Sequence, residues 1–246
     1  MTKAQLKYFQ SLSIARNRKQ ERRYLVEGDK SALEWIADAR FIIHIIATAE
    51  WLSVHEGAVA PFRDRCVEAL PHEIAKISTL TTPTQVVVVA GMPGPEAPAF
   101  TPGQWYLALD GIRDPGNMGT ILRTADWFGI RDILVSEDCV ETFNPKVVQA
   151  SMGSLLRVCV TAYADLFQAL QRSGRPVYTT HLKGSDIRSS VGIESGIILM
   201  GNESRGVNPG FEAISSELLF IPRVGDAESL NVAVATGIVC SYLVLK

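Results

Sequence analysis

The second half of this 246-residue chain keeps a regular alternation, and that alternation limits the folds open to it. The apolar runs WYLALD (105–110), DILVS (132–136), LLRVCV (155–160), PVYTTHL (176–182), GIILMG (196–201) and LLFIP (218–222) read as strands. Helical patterns fall between them at 117–128, around 144–150, at 163–172 and near 209–216, and a last helix starts at about 229. Runs this short and this apolar suit strands covered on both faces. Strands that alternate with helices imply a parallel, doubly wound α/β sheet, here of five or six strands. Ligands of such sheets sit at the carboxyl ends of the strands, near the point where strand order reverses.

The first half reads as a smaller α/β unit. It has a polar helix over 3–18, strands at 24–28, 41–47 and 84–91, and helices at 31–39 and near 61–70. The segment GMPGPEAPAFTPG (91–103) is dense in Pro and Gly, and it reads as a linker. The expected domains are therefore 1–98 and 99–246.

Several classes are excluded. No apolar run is long enough to span a bilayer, and the N-terminus is polar and basic, so neither a membrane span nor a signal peptide is expected. Cys66, Cys139, Cys159 and Cys240 form no CxxC pair, which points to a reducing, cytoplasmic setting and away from zinc. His44, His55, His72 and His181 are irregularly spaced, and no metal site is expected. The net charge of −2 says little, but its distribution says more. Residues 1–23 carry seven basic groups (Lys3, Lys7, Arg16, Arg18, Lys19, Arg22 and Arg23) against one acid, Glu21. A concentrated basic arm attracts phosphates, although it also suits a solvated helix face.

Three strand ends carry unusual chemistry. After the first, Asp114-Pro115-Gly116-Asn117 makes a turn in which Asn117 stands where a helix cap belongs. Gly119 permits close approach of another backbone, and Arg123 lies inside the helix, three residues from a possible ion-pair partner in Asp126. This is neither GxGxxG nor a lysine-bearing phosphate loop. The second is Gly201-Asn202-Glu203-Ser204-Arg205-Gly206, at the end of a strongly apolar strand. In the third, Ile221-Pro222 ends a strand, and Ser229-Leu230-Asn231 opens a helix with Ser229 as a fair cap and small residues after it. Taken singly, each reads as an ordinary turn or cap.

Together, in order and spacing, they resemble the three motifs of the SpoU-type RNA 2′-O-ribose methyltransferases of the SPOUT superfamily. Asn117-x-Gly119-x-x-x-Arg123-Thr124-Ala125 matches the first motif, and Gly201-Asn202-Glu203-x-x-Gly206 the second. Ile221-Pro222 with Ser229-Leu230-Asn231-Val232 matches the third. Ala233 and Thr236 are small departures from the common pattern. The basic arm and RRYLVEG resemble that family's ribosomal-protein-like substrate-binding domain.

The resemblance implies an α/β trefoil-knot (SPOUT) domain behind a smaller N-terminal α/β domain. It implies S-adenosylmethionine held by three loops: Thr180, His181 and Leu182; Met200, Gly201, Asn202 and Gly206; and Ile221, Pro222, Ser229, Leu230, Asn231 and Ala233. It gives catalytic roles to Arg123, Asn117, Glu203, Ser229 and Asn231, and it implies a homodimer paired through the helix at 117–128 and the C-terminal helix. A free guanidinium stays protonated to pH above about 12, so Arg123 suits clamping a phosphate and polarising the hydroxyl better than acting as a base. RNA, ribosomal above all, would meet Arg16, Arg18, Lys19, Arg22, Arg23 and Arg123. The alternatives are a transfer RNA ribose methyltransferase, or a catalytically silent RNA-binding protein of ribosome assembly.

Overall fold

The computed structural model describes residues 1–94, 97–190, 192–202 and 205–245. Its chain clusters into two compact units. One is Met1–Gly94 together with Glu141–Leu156, and the other is Pro95–Val140 with Arg157–Lys246. The segment 141–156 thus belongs by its contacts to the first unit, whereas the sequence reading gave it to the second domain.

The first unit is built on strands β1 (Arg23–Glu27), β2 (Ile42–Ala47), β3 (Cys66–Glu68) and β4 (Val86–Gly91). Their order is β1-β4-β2-β3, with β4 antiparallel to both neighbours and β2 parallel to β3. The central run VVVVA shows the two-residue period of a strand covered on both faces. Val86, Val88 and Ala90 enter a cluster with Trp35 and Trp51, while Val87 and Val89 enter another with Phe9, Leu12 and Ile74. Residues 61–70 do not form the expected helix. A 3-10 turn, Ala60–Arg65, with Pro61 in its first turn, leads into β3, whose pairing with β2 overrides local preference. The expected helix over 3–18 is two helices, Lys3–Ser11 and Ala15–Glu21, broken at Leu12–Ile14, where Leu12 is buried in the core.

One expected RNA contact is corrected in this unit. Arg18 is only 2% exposed, so it is not available to a phosphate. Its guanidinium pairs with both carboxylate oxygens of Glu141 and donates to the carbonyls of Leu12 (3.0 Å) and Ser13 (2.7 Å). Arg23 is half-buried and donates to the Tyr8 hydroxyl at 2.5 Å, whereas Arg16, Lys19 and Arg22 are exposed.

The second unit has strands β5 (Trp105–Leu109), β6 (Asp132–Ser136), β7 (Cys159–Tyr163), β8 (Val177–Asp186), β9 (Gly196–Met200) and β10 (Glu217–Phe220). All pairings are parallel, in the order β10-β8-β9-β5-β6-β7. This is the doubly wound sheet of six strands that the alternation implies, with its order reversing between β5 and β9. The run LLRVCV is split. Leu155 and Leu156 pack on the first unit's core, so the strand starts only at Cys159. The segment near 209–216 is a 3-10 turn, Pro209–Ile214, and the last helix starts at Val232. Among the described residues no helix is long and apolar enough to cross a membrane, and no cluster of potential metal ligands forms.

Candidate functional site

The loops that follow β5, β8, β9 and β10 leave the sheet at one edge, because these strands are parallel. After β5, the chain enters the helix Pro115–Trp127. Its cap is Asp114, whose carboxylate accepts from Asn117 N–H at 2.8 Å; the expected cap, Asn117, lies inside the first turn. Proline fits the first helical position, so the cap falls one residue before Pro115. This releases the Asn117 side chain for another bond. Its Oδ1 accepts from Asn231 Nδ2 at 2.9 Å, which joins the first and third motif stretches directly.

Asn231, in place of Ser229, caps the C-terminal helix Val232–Val244. Its Oδ1 accepts from Ala233 N–H (2.9 Å) and Val234 N–H (3.3 Å). An asparagine cap is worth about 1 kcal/mol. Here the same amide caps with its oxygen and reaches Asn117 with its nitrogen, so it serves both helix and site. Ser229 lies exposed in the preceding loop.

Arg123 is exposed on the outward face of its helix, four residues from Trp127, which is 84% exposed. The ion pair expected with Asp126 does not form, because Asp126 pairs with Arg157 at 2.8 Å. Among the described residues the Arg123 side chain makes no hydrogen bond or ion pair, and six helical positions separate it from Asn117. The structure therefore brings Asn117 and Asn231 together but does not bring Arg123 into contact with them. Glu203 lies outside the described residues.

The loop after β9 is folded tightly. Asn202 and Gly206 exchange both backbone bonds (3.0 and 2.9 Å), and Asn202 Nδ2 donates to the Gly111 carbonyl at 2.7 Å. A Cβ at Gly201 would lie 2.2 Å from Val207 N and 2.3 Å from Gly206 C, both backbone atoms that cannot swing away. Gly201→Ala is accordingly expected to destabilise the protein by about 1–3 kcal/mol, the usual cost of forcing atoms into a packed site. A denaturant titration checks this, and an unchanged midpoint would show that the loop opens freely.

Behind this loop, buried Asp110 accepts from Asn208 N–H at 2.8 Å, and its own N–H donates to the Met200 carbonyl at 2.9 Å. Sequence reasoning missed Asp110, although an acid closing an apolar strand just before glycine is a usable signal. It also missed Arg113, Asp138 and Arg205. Asp138 accepts from Ser136 Oγ and from both arginines, which hold its carboxyl below the ordinary range. Nothing in the local sequence marks Asp138.

The loop within β8 arises from a register jump. Leu218 and Leu219 are adjacent in β10, yet they oppose Thr179 and Ser185 in β8, so residues 180–184 leave the ladder. A Cβ at Gly184 would lie 2.5 Å from the Leu218 carbonyl oxygen, which explains the glycine where the ladder closes again. Leu182 in this excursion is 70% exposed. His181 accepts through Nδ1 from Lys183 N–H (3.1 Å), and its Nε2 lies 3.6 Å from Glu212.

These loops suit an adenosyl ligand. Leu182 and Leu230 are exposed apolar side chains on neighbouring loops, able to cover the two faces of a flat ring. Residues 222–230 make no backbone–backbone hydrogen bond among the described residues; the Ala227 carbonyl accepts from Arg223 Nη1 at 3.0 Å, which leaves most of the segment's amides and carbonyls open to a ligand. Met200, Gly201 and Ala233 are buried, and Thr180, Ile221 and Pro222 are half-buried.

Known proteins are similar to this chain over both of its halves. Residues 104–241 match the SpoU rRNA Methylase family, and residues 3–88 match the MRM3-like substrate binding domain. The 23S rRNA (guanosine(2553)-2′-O)-methyltransferase RlmP of Bacillus subtilis is 27% identical over 97% of this chain and 95% of its own length. The 23S rRNA (guanosine-2′-O-)-methyltransferase RlmB of Pseudomonas aeruginosa is 34% identical, over 57% of this chain and 58% of its own length. Among solved structures, a TrmH-family protein from Porphyromonas gingivalis has a TM-score of 0.88 at 37% identity, covering 99% of this chain and 98% of its own. The AdoMet-bound rRNA methyltransferase of Sinorhizobium meliloti has a TM-score of 0.85 at 29% identity, covering 99% of this chain and 95% of its own. With the SpoU match spanning more than half of its residues and the motif stretches meeting at one sheet edge, the chain belongs to the SpoU rRNA methylase family.

Proposed function

We propose that this protein transfers a methyl group from S-adenosylmethionine to a ribose 2′-hydroxyl of ribosomal RNA. The observation that carries the reading is the Asn117–Asn231 hydrogen bond, which joins two motif stretches beside loops able to hold an adenosyl group. S-adenosylmethionine supplies a methyl group already activated by its positively charged sulfur. The protein's task is then to place a hydroxyl in line with that methyl, exclude water and help the proton leave. The loops at 180–184, 200–206 and 221–233 hold the cofactor, chiefly through backbone groups. The Asn117–Asn231 pair orients polar groups of the site, and Ser229 and Glu203 complete it. Arg123 clamps the phosphate beside the target ribose and polarises the hydroxyl.

The exposed arm residues Arg16, Lys19 and Arg22 contact RNA phosphates, and residues 1–98 present the RNA to the methyltransferase domain, 99–246. The last segment of the chain threads a loop as a trefoil knot. Its path supports this: from β10 at the sheet edge it returns to pack helix Val232–Val244 against helix Pro115–Trp127, which follows central β5. Trp127, Val234 and Tyr242 are exposed on those two helices, with Leu245 just past the end of the second, and they pair with the same helices of a second copy. Four free cysteines suit a reducing cytoplasm.

The test is transfer of labelled methyl from S-adenosylmethionine to unmodified ribosomal RNA and, in parallel, unmodified transfer RNA. The expected result is one ribosomal site that becomes resistant to alkaline cleavage. Label on transfer RNA alone would move the substrate class, and binding of cofactor with no transfer to either would favour a silent RNA-binding relative. Light scattering of the same preparation at micromolar concentration is expected to give the mass of a dimer. A monomer mass would remove the pairing.

A further inference from the structure

The loop after β6 lies outside the three motif stretches, yet it meets the second of them and the loop that leads into the first. Asp138 Oδ2 accepts from Arg113 Nη2 (3.2 Å), in the loop after β5, and from Arg205 Nη2 (2.8 Å), in the loop after β9. Its Oδ1 accepts from Ser136 Oγ at 2.6 Å, and that hydroxyl in turn accepts from Gly111 N–H at 2.9 Å. Gly111 has φ +71°, and a Cβ there would lie 2.6 Å from Arg205 Nη2. The Arg205 guanidinium therefore fills the space where any other side chain would begin. Three loops of the same sheet edge are tied into one cluster.

Among the described residues the charges in the cluster do not balance. Two guanidiniums share one carboxylate, and in fact one oxygen of it, so they repel each other across a short gap. Each guanidinium carries five N–H donors, and Asp138 takes only part of them. Arg113 and Arg205 remain 65% and 53% exposed. A clamp built only for stability needs one arginine. A second, half-exposed arginine on the same oxygen gains most when an external anion meets the outward N–H groups of both. Planar guanidiniums match a phosphate with paired hydrogen bonds.

We propose that Arg113 and Arg205, held side by side by Asp138 over Gly111, form a fork that grips a phosphate of the RNA strand near the target ribose, a different one from that clamped by Arg123. Asp138 and Gly111 are positioning residues that aim the two guanidiniums. The proposal rests on the reading of RNA as the substrate. The fork lies beside the loops that hold the cofactor and carry the motif stretches, so the gripped phosphate is near the reacting nucleotide.

The experiment uses the full chain and an unmodified 23S ribosomal RNA transcript. Arg113→Gln, Arg205→Gln and Asp138→Asn are compared with the unaltered protein for KM and kcat in methyl transfer. RNA affinity is measured across a salt series, and S-adenosylmethionine affinity by calorimetry. Each glutamine variant is expected to raise the KM for RNA about 5- to 20-fold with little change in kcat. Each is also expected to lower the slope of log affinity against log salt by about 0.7–1, the signature of one lost phosphate contact. Asp138→Asn, which keeps both cations but loosens their aim, is expected to raise KM less and leave the salt slope nearly intact. Arg113→Gln guards against local damage by Arg205→Gln, since the two lie on different loops. Unchanged KM and slope in both arginine variants would make the cluster a structural clamp and overturn the fork. Loss of cofactor affinity with RNA affinity intact would assign the cluster to the cofactor's carboxylate, and that too overturns it. If the unaltered protein bound no S-adenosylmethionine, the methyltransferase reading would fall, while the salt slopes would still decide the fork.

Discussion

Arg123→Ala is expected to lower methyl transfer by roughly 10²–10³-fold or more, the range seen when one charge-stabilising group is removed from a reacting centre. The affinity for S-adenosylmethionine is expected to stay within about twofold, because the loops proposed to hold it do not include the helix Pro115–Trp127. Stability should hardly move. The Arg123 side chain is exposed and makes no hydrogen bond or ion pair among the described residues, and surface changes of that kind stay within about 0.5 kcal/mol. An unsupported, outward-facing arginine inside a motif is hard to explain by folding, which is why its function should dominate the result. Arg123→Lys keeps the charge and loses the planar fork, so partial activity is expected from it. Single-turnover methyl transfer together with calorimetry reads both quantities. Near-normal transfer by Arg123→Ala would remove this residue from the chemistry altogether.

Arg18→Ala is expected to act in the opposite way, through folding alone. The side chain is buried, paired with both oxygens of Glu141, and bonded to two carbonyls of its own helix–helix turn. Removing one partner of such a pair leaves Glu141 with a poorly compensated charge and the two carbonyls without their donor. The cost is about 3–5 kcal/mol. Denaturant unfolding measures it, and a loss below about 1 kcal/mol would mean that water enters and rescues the site. A double replacement, Arg18→Met with Glu141→Leu, should recover much of the loss, because well-packed apolar pairs can stand in for buried ion pairs. The contrast between the two arginines is instructive. Both sit in stretches rich in polar residues, and only tertiary context separates the one that faces solvent from the one that closes a core.

That contrast marks the limit of what the sequence discloses. The six-strand alternation was legible because parallel strands buried on both faces leave uninterrupted apolar runs, and the strand cores of β5, β6 and β9 fall where those runs do. The motif stretches were legible as residues in order, and two of them do meet, at Asn117 and Asn231. The cap assignments were not. Asp114 and Asn117 are both good caps, as are Ser229 and Asn231, and only the backbone path chooses between them. β3 was hidden because three residues carry no period, and its strand character comes from β2 beside it. The excursion at 180–184 was hidden because a register jump is a property of two strands together. Asp138 was invisible because its partners are Arg113 and Arg205, far away along the chain.

The membership of 141–156 in the first unit has a consequence for the order in which the protein can be made. Phe143, Val148, Leu155 and Leu156 pack into the cluster that holds Tyr24, Trp35 and Val88, and Glu141 neutralises buried Arg18. During synthesis the first 94 residues therefore emerge with an unfilled core and an unanswered buried charge. They wait while β5, the helix Pro115–Trp127 and β6 are added before residue 156 has left the ribosome. The N-terminal unit is first in sequence but cannot finish until residue 156 has emerged, so its strands should be open to proteases in a nascent chain halted near residue 100 and protected in one halted beyond residue 190.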